Sequence, residues 1–193
     1  TMNLSKLFEM QKELDARILE EHPVQEGEDR LAKKILALLV ELGELANEWR
    51  GFKYWSNNQN PRTTAVKICR KCGGTGTPIG MPPEEVDCLV YYNPLLEEYV
   101  DCLHFILSIG LERKLDYVTF ESVKNQENSI TYQFNLLFDK IGSFMQFKTI
   151  GNYRSIGNLF LGLGEMLGFT WEEVEAAYVN KNQVNHQRQE SGY

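Results

Sequence analysis

"LLEEYVDCLHFILSIGL", residues 95–111, decides the fold. Wound at about 100° per residue, Glu98 and Asp101 share an arc with Leu95, Cys102, Phe105 and Ile109. Val100, Leu103, Ile106, Leu107 and Leu111 cover the other side. A helix that is apolar nearly all round is a buried helix. Two carboxylates three residues apart interrupt this one, and burying each costs several kcal/mol unless something offsets its charge. No Lys or Arg occurs within the stretch before Arg113. Compensation has to come from another segment or from an ion.

Upstream, "VELGELANEW", residues 40–49, repeats the spacing with Glu41 and Glu44. Taken alone, that helix looks ordinary: Glu41, Glu44 and Glu48 share an arc with Lys34, beside an apolar stripe of Leu31, Ile35, Leu38, Leu42, Leu45 and Trp49. Set against the second segment, it supplies the missing half. Two acidic pairs on facing helices give four carboxylates, which two Mg²⁺ ions balance. All-oxygen ligation selects Mg²⁺, Mn²⁺ or Ca²⁺ over zinc. Two alternatives stay open: carboxyls with raised pKa values, and pairing to Lys or Arg from distant segments.

The rest of the chain extends the helical pattern. Ser5 is placed to cap a helix running to about Glu21, which His22-Pro23 ends. The first acidic helix spans about Asp29 to Arg50 and is closed by Gly51. The second runs from Asn93-Pro94 to about Lys114. Further helices are expected at about 129–148 and 155–167, the latter interrupted by Gly162 and Gly164. A last helix starts at Thr170, where "TWEE" makes a capping box of Thr170 and Glu173. The expectation is an all-α helical bundle in a single domain, 1–193. Between the acidic helices lies an irregular, Cys/Gly/Pro-containing insert at about 56–92, with at most short strand pieces.

The 193 residues carry a formal net charge of −7, which argues against broad nucleic-acid or anionic-membrane binding. No run is long and apolar enough to span a membrane, and no signal-peptide pattern opens the chain. A cytoplasmic protein with reduced or metal-bound cysteines is expected. "CRKCGGTG" forms a C-x-x-C-G knuckle: Cys69, Cys72 and Cys88 can supply three zinc ligands, with a fourth from Asp87, a histidine or a partner chain, and the reading without zinc stays open.

E-x-x-E followed by E-x-x-D on the helices of an all-α protein resembles the all-α nucleoside triphosphate pyrophosphatase superfamily, which includes MazG-like enzymes and dimeric dUTP diphosphatases. The C-terminal "YVNKNQVNHQRQESGY", residues 178–193, resembles the closing K-N-x-x-N-x-x-R-Q-x-x-G-Y motif of the dimeric dUTPases through Lys181, Asn182, Asn185, Arg188, Gln189, Gly192 and Tyr193. "MQKELD" (10–15), "FKYW" (52–55) and "VDCLHFILS" (100–108) resemble three further elements of that family. The insert has no counterpart in the resemblance. Independently of it, Lys181, Asn185 and Arg188 fall at i, i+4 and i+7, so one helical face presents two cations and an amide.

The resemblance implies a homodimeric enzyme that hydrolyses dUTP to dUMP and pyrophosphate with Mg²⁺. It implies Glu41, Glu44, Glu98 and Asp101 as metal ligands, with Glu41 orienting the attacking water. Lys53, Lys181 and Arg188 are expected on the phosphates, and Gln11, Trp55, Phe105 and Asn185 around the base. His104 points away from the acids, so a packed position is expected for it. Two other readings remain. One is a broader pyrophosphatase for dCTP or modified nucleotides; the other is a protein-binding module built on the acidic helices and the cysteine knuckle.

Overall fold

The computed structural model describes residues 4–68 and 89–192. Among them are six helices: α1 (Leu4–Glu21), α2 (Arg30–Trp49), α3 (Pro94–Glu112), α4 (Ile130–Gln146), α5 (Ile150–Met166) and α6 (Trp171–Glu190). A two-stranded antiparallel ribbon, β1 (Ala65–Ile68) with β2 (Leu89–Tyr92), lies between α2 and α3 in sequence. The architecture is the all-α bundle that the periodicity predicts.

Side chains stop and start the helices where the polar residues say they should. Asp29 accepts the Ala32 N–H ahead of α2, Asn93 that of Leu96 ahead of α3, and Ser129 that of Tyr132 ahead of α4. Thr170 and Glu173 form the reciprocal capping box of α6. Each such cap contributes about 0.5–2 kcal/mol by satisfying an N–H that the helix leaves open. Ser5 is not a cap, because α1 is already helical at Leu4. At the end of α2, Arg50 rather than Gly51 takes the left-handed turn, with φ 64°.

α5 starts at Ile150, earlier than expected, because Thr149 caps it by accepting the Asn152 N–H. Gly162 and Gly164 do not interrupt it. A Cβ on Gly162 would sit 2.0 Å from the Val123 carbonyl oxygen, and one on Gly164 would sit 2.4 Å from the Tyr99 hydroxyl. These glycines let α5 approach the 115–125 segment and α3 closely.

α3 is central, packed against α1, α2, α5 and α6, and α4 closes over α2 and α5. Its Leu95, Val100, Leu103, Ile106 and Leu107 share one core with Ile35, Leu38, Leu42 and Leu45 of α2. Tyr99 stacks on Phe160 with ring centroids 4.2 Å apart. Burying each such side chain stabilises the fold by about 1.5–3 kcal/mol. That total holds α3 in the middle of the bundle despite its two acids.

The insert is more ordered at its root than the sequence suggests. Ala65 pairs with Tyr92 and Ile68 with Leu89. Just before β1, the Arg62 N–H donates to the Glu48 carbonyl at 3.0 Å, and the Arg62 carbonyl accepts from the Leu95 N–H at 3.1 Å. These two bonds tie the root to the end of α2 and the start of α3. Cys69, Cys72 and Cys88, the proposed zinc ligands, lie outside the described residues. Among the described residues no helix is long and apolar enough to cross a membrane.

Candidate metal and nucleotide site

The apolar stripes that pack α2 against α3 also bring their acidic edges together. Glu41 and Glu44 of α2 and Glu98 of α3 each offer a carboxylate oxygen, and these three oxygens lie within 4.8 Å of one another. Asp101 stands one turn further along α3. Its Oδ2 receives Lys181 Nζ of α6 at 2.5 Å, and the same ammonium reaches Glu97 Oε1 at 3.2 Å. Three of the four predicted ligands thus converge, and the fourth is held beside them by a lysine.

The electrostatics follow from this crowding. Glu98 is pushed up to about 8, first by burial, then by Asp101, Glu41 and Glu44. Glu41 is pushed up to about 7 by burial, then by Asp101 and Glu44. Burial also raises Asp101, against the pull of Lys181. For Lys181, burial favours the neutral amine, but Asp101 and Glu97 outweigh it and raise its pKa. Among the described residues no ion pair reaches Glu41, Glu44 or Glu98. Clustered, partly desolvated carboxylates with no ion-pair partner among the described residues suit a hard divalent ion that takes oxygen ligands. The donor set fits Mg²⁺ or Mn²⁺.

Beside the acids a cavity of about 760 Å³ opens between α1, α2, α3 and α6, large enough for a nucleoside and its first phosphate. Glu41 and Asp101 line one end, together with Lys181, Asn185 and Arg188 of α6. Gln11 and Asp15 of α1 and Phe105 of α3 line it further along. Seven of the expected site residues therefore meet in one space: Gln11, Glu41, Asp101, Phe105, Lys181, Asn185 and Arg188.

Gln11 is buried and engaged. Its Nε2 donates to Asp15 Oδ1 at 2.7 Å, and a carboxylate can only accept, so the orientation of the amide is fixed. Its oxygen then accepts from the Tyr178 hydroxyl and from His104 Nδ1, each at 2.7 Å. His104 therefore carries its proton on Nδ1. It stacks on Tyr178 at 4.0 Å, and burial pulls its pKa down to about 3, so it is neutral. Asp15 also accepts from Ser108 Oγ at 2.6 Å and from Lys34 Nζ at 3.4 Å. One N–H of Gln11 is left over from this network.

Two expected residues lie elsewhere in the chain. Lys53 sits over the Phe52 ring at 5.5 Å and does not line the cavity. Trp55 is 65% exposed, with Phe52 and Tyr54 edge-on to it, and is likewise outside the lining. Conversely, sequence reading gave no role to Asp15, Glu97 or Tyr178. Asp15 and Tyr178 lie within the quoted stretches "MQKELD" and "YVNKNQVNHQRQESGY", and Glu97 adjoins Glu98.

The family model described as dUTPase matches residues 3–69 and 91–193 of the chain. The gap between the two matched segments is the interior of the insert. No curated protein matches the chain.

Proposed function

The chain belongs to the all-α dUTPase family and is a dUTP diphosphatase, cleaving dUTP to dUMP and pyrophosphate; we propose that it does so in the cytoplasm, as a Mg²⁺-dependent homodimer, on the site formed by α1, α2, α3 and α6. The observation that carries this reading is the convergence of Glu41, Glu44 and Glu98 at the end of a cavity that two cations of α6 also line. Glu41, Glu44, Glu98 and Asp101 are the residues that would hold the ions. Bound there, divalent cations activate water and neutralise charge on the phosphoryl oxygens.

The chain's own residues supply the remainder. Glu41, which lines the cavity at the edge of the acidic cluster, accepts the proton of the attacking water as general base. Water oxygen joins the β-phosphorus and leaves in pyrophosphate, while the bridging oxygen departs with dUMP. Lys181 and Arg188 hold phosphate oxygens. Lys181 has to share Asp101 with an ion, and its second partner Glu97 keeps it at hand. Phe105 offers a ring face to the base, and Asn185 an amide to its edge. The spare N–H of Gln11 is a donor suited to a uracil carbonyl. Leu36 and Val40, one turn apart on α2 and 61% and 50% exposed, support an apolar contact with a second copy. In such a dimer Lys53 and Trp55 reach a site only if the partner brings them.

The test is pyrophosphate release from dUTP, dCTP, dTTP and UTP, with and without Mg²⁺, alongside light scattering for the dimer. Release from dUTP in Mg²⁺ alone is expected. Equal release from dCTP would favour the broader pyrophosphatase, and none from any nucleotide would end the enzymatic reading. Asn185→Ala is expected to narrow the preference for dUTP over dCTP about tenfold, the worth of one hydrogen bond in a buried pocket, with metal affinity unchanged. Unaltered selectivity would take Asn185 out of the base pocket.

A further inference from the structure

The acidic ridge has a second side. Glu41 and Asp101 face the 760 Å³ cavity, but Glu98, from the same cluster, lines a separate cavity of about 330 Å³. Its walls come from the root of the insert and the ends of the acidic helices: Arg62, Lys67 and Tyr92, together with Glu48 and Glu97. Pro94, the first residue of α3, lines it as well, so the positive end of that helix adjoins the space.

Both cations are held in place but not used up. Arg62 Nη1 donates to Glu48 Oε1 at 2.9 Å, and the side chain is 55% exposed. Lys67 Nζ donates to Glu97 Oε2 at 2.6 Å, lies 3.8 Å from the centroid of the Tyr92 ring, and is 48% exposed. An arginine has five N–H donors and a lysine three, so each keeps donors for an anion. Glu48 and Glu97 balance the two cations, so the cavity alone offers an anion no net attraction, and divalent cations on Glu98 and its neighbours would supply the positive charge.

We propose that this cavity is the pyrophosphate subsite, where Arg62 and Lys67 grip the β- and γ-phosphates while the nucleoside and α-phosphate occupy the larger cavity across the carboxylate ridge. The inference rests on the dUTP diphosphatase reading and extends it to residues of the insert root. The scissile bond lies over Glu41, Glu44 and Glu98, between the two cavities, and each product leaves from its own side. Pyrophosphate enters only with the metal in place. The insert root thus has a catalytic use, fixed by the hydrogen bonds of Arg62 to the ends of α2 and α3.

Product inhibition separates the two sides. In Mg²⁺ the inhibition constants of dUMP and of inorganic pyrophosphate are measured against dUTP hydrolysis for the wild type, Arg62→Gln and Lys67→Gln. Each substitution is expected to weaken pyrophosphate inhibition about tenfold, the worth of one charge-assisted contact, and to leave dUMP inhibition within twofold. Arg62→Lys and Lys67→Arg, which keep the charge, are expected to restore most of it. Lys67→Gln, on an exposed strand, carries the test if Arg62→Gln loses the loop's tie to Glu48. Unchanged pyrophosphate inhibition, or equal weakening for both products, would overturn the subsite. A wild type that does not hydrolyse dUTP would overturn the parent reading instead.

Discussion

α3 carries two polar clusters, and they are opposites. Around His104 every strong group but one nitrogen is matched: Gln11, Tyr178, Asp15 and Ser108 close a network at 2.6–2.7 Å with the imidazole neutral. Nearly two turns before it, Glu98 faces Glu41 and Glu44 with no ion pair reaching any of the three among the described residues. The first cluster is nearly complete without a ligand, with His104 Nε2 and one Gln11 N–H left over, and shapes the cavity wall. The second is incomplete and stores repulsion that a proton or a cation relieves. A satisfied polar network adds rigidity, whereas an unsatisfied one marks where something binds.

The largest test of this contrast is Glu98→Gln. Removing one ligand is expected to lower kcat on the order of 10³-fold, as losing a group that stabilises transition-state charge does. The same change takes a charge out of a crowded cluster, so the ion-free protein should melt at a higher temperature than the wild type near pH 8. Loss of activity together with a lower melting temperature would mean that Glu98 holds the fold and not an ion.

A smaller test uses pH, and its sign is definite. Glu41 and Glu98 have folded pKa values near 7 and 8, above the unfolded value of 4.5. The folded state therefore binds more protons than the unfolded state between about 4.5 and 8, and stability falls as pH rises through that window. His104 acts in the opposite sense, because its folded value near 3 lies below the unfolded 6.5. Its cost appears only as pH falls below 6.5. Between pH 6.5 and 8.5 the carboxylates act alone, and the melting temperature of ion-free protein should drop by several degrees. Saturating Mg²⁺, or Glu98→Gln, should flatten the slope. A flat profile in the ion-free wild type would remove the repulsion from the account.

The difference between the clusters also explains what could be read from the sequence. Glu98 and Asp101 were legible because an apolar helix without a basic residue leaves their charge unanswered within the same stretch. Thr170 and Glu173 were legible because a capping box is complete within four residues. Asp15, four residues on, orients the Gln11 amide, but the Tyr178 hydroxyl that its oxygen accepts from lies 167 positions away. Gly162 and Gly164 looked like interruptions because their reasons, the Val123 carbonyl and Tyr99, lie on other segments. The ribbon failed to stand out because "AVKI" is too short for alternation to show, and its partner strand lies beyond the insert. Lys181 was read as a phosphate ligand, but its grip on Asp101 depends on how α6 crosses α3.

The satisfied cluster is tested last and should respond least. Tyr178→Phe removes one of two donors to the Gln11 oxygen, and His104 Nδ1 still covers that acceptor. A single buried hydrogen bond is lost with nothing charged left bare, at about 1 kcal/mol, or about 2–4 °C in a chain of this size. Gln11→Leu should cost more than Tyr178→Phe, because it strands the His104 N–H and leaves the Tyr178 hydroxyl only the long contact to the Leu7 carbonyl, and an unmatched buried donor costs about 1–3 kcal/mol. The order of the two melting temperatures is the decisive reading. If Tyr178→Phe proved the more damaging, the hydroxyl would have a second buried partner of comparable weight, and the Leu7 carbonyl, 3.4 Å away, is the group in position to be it.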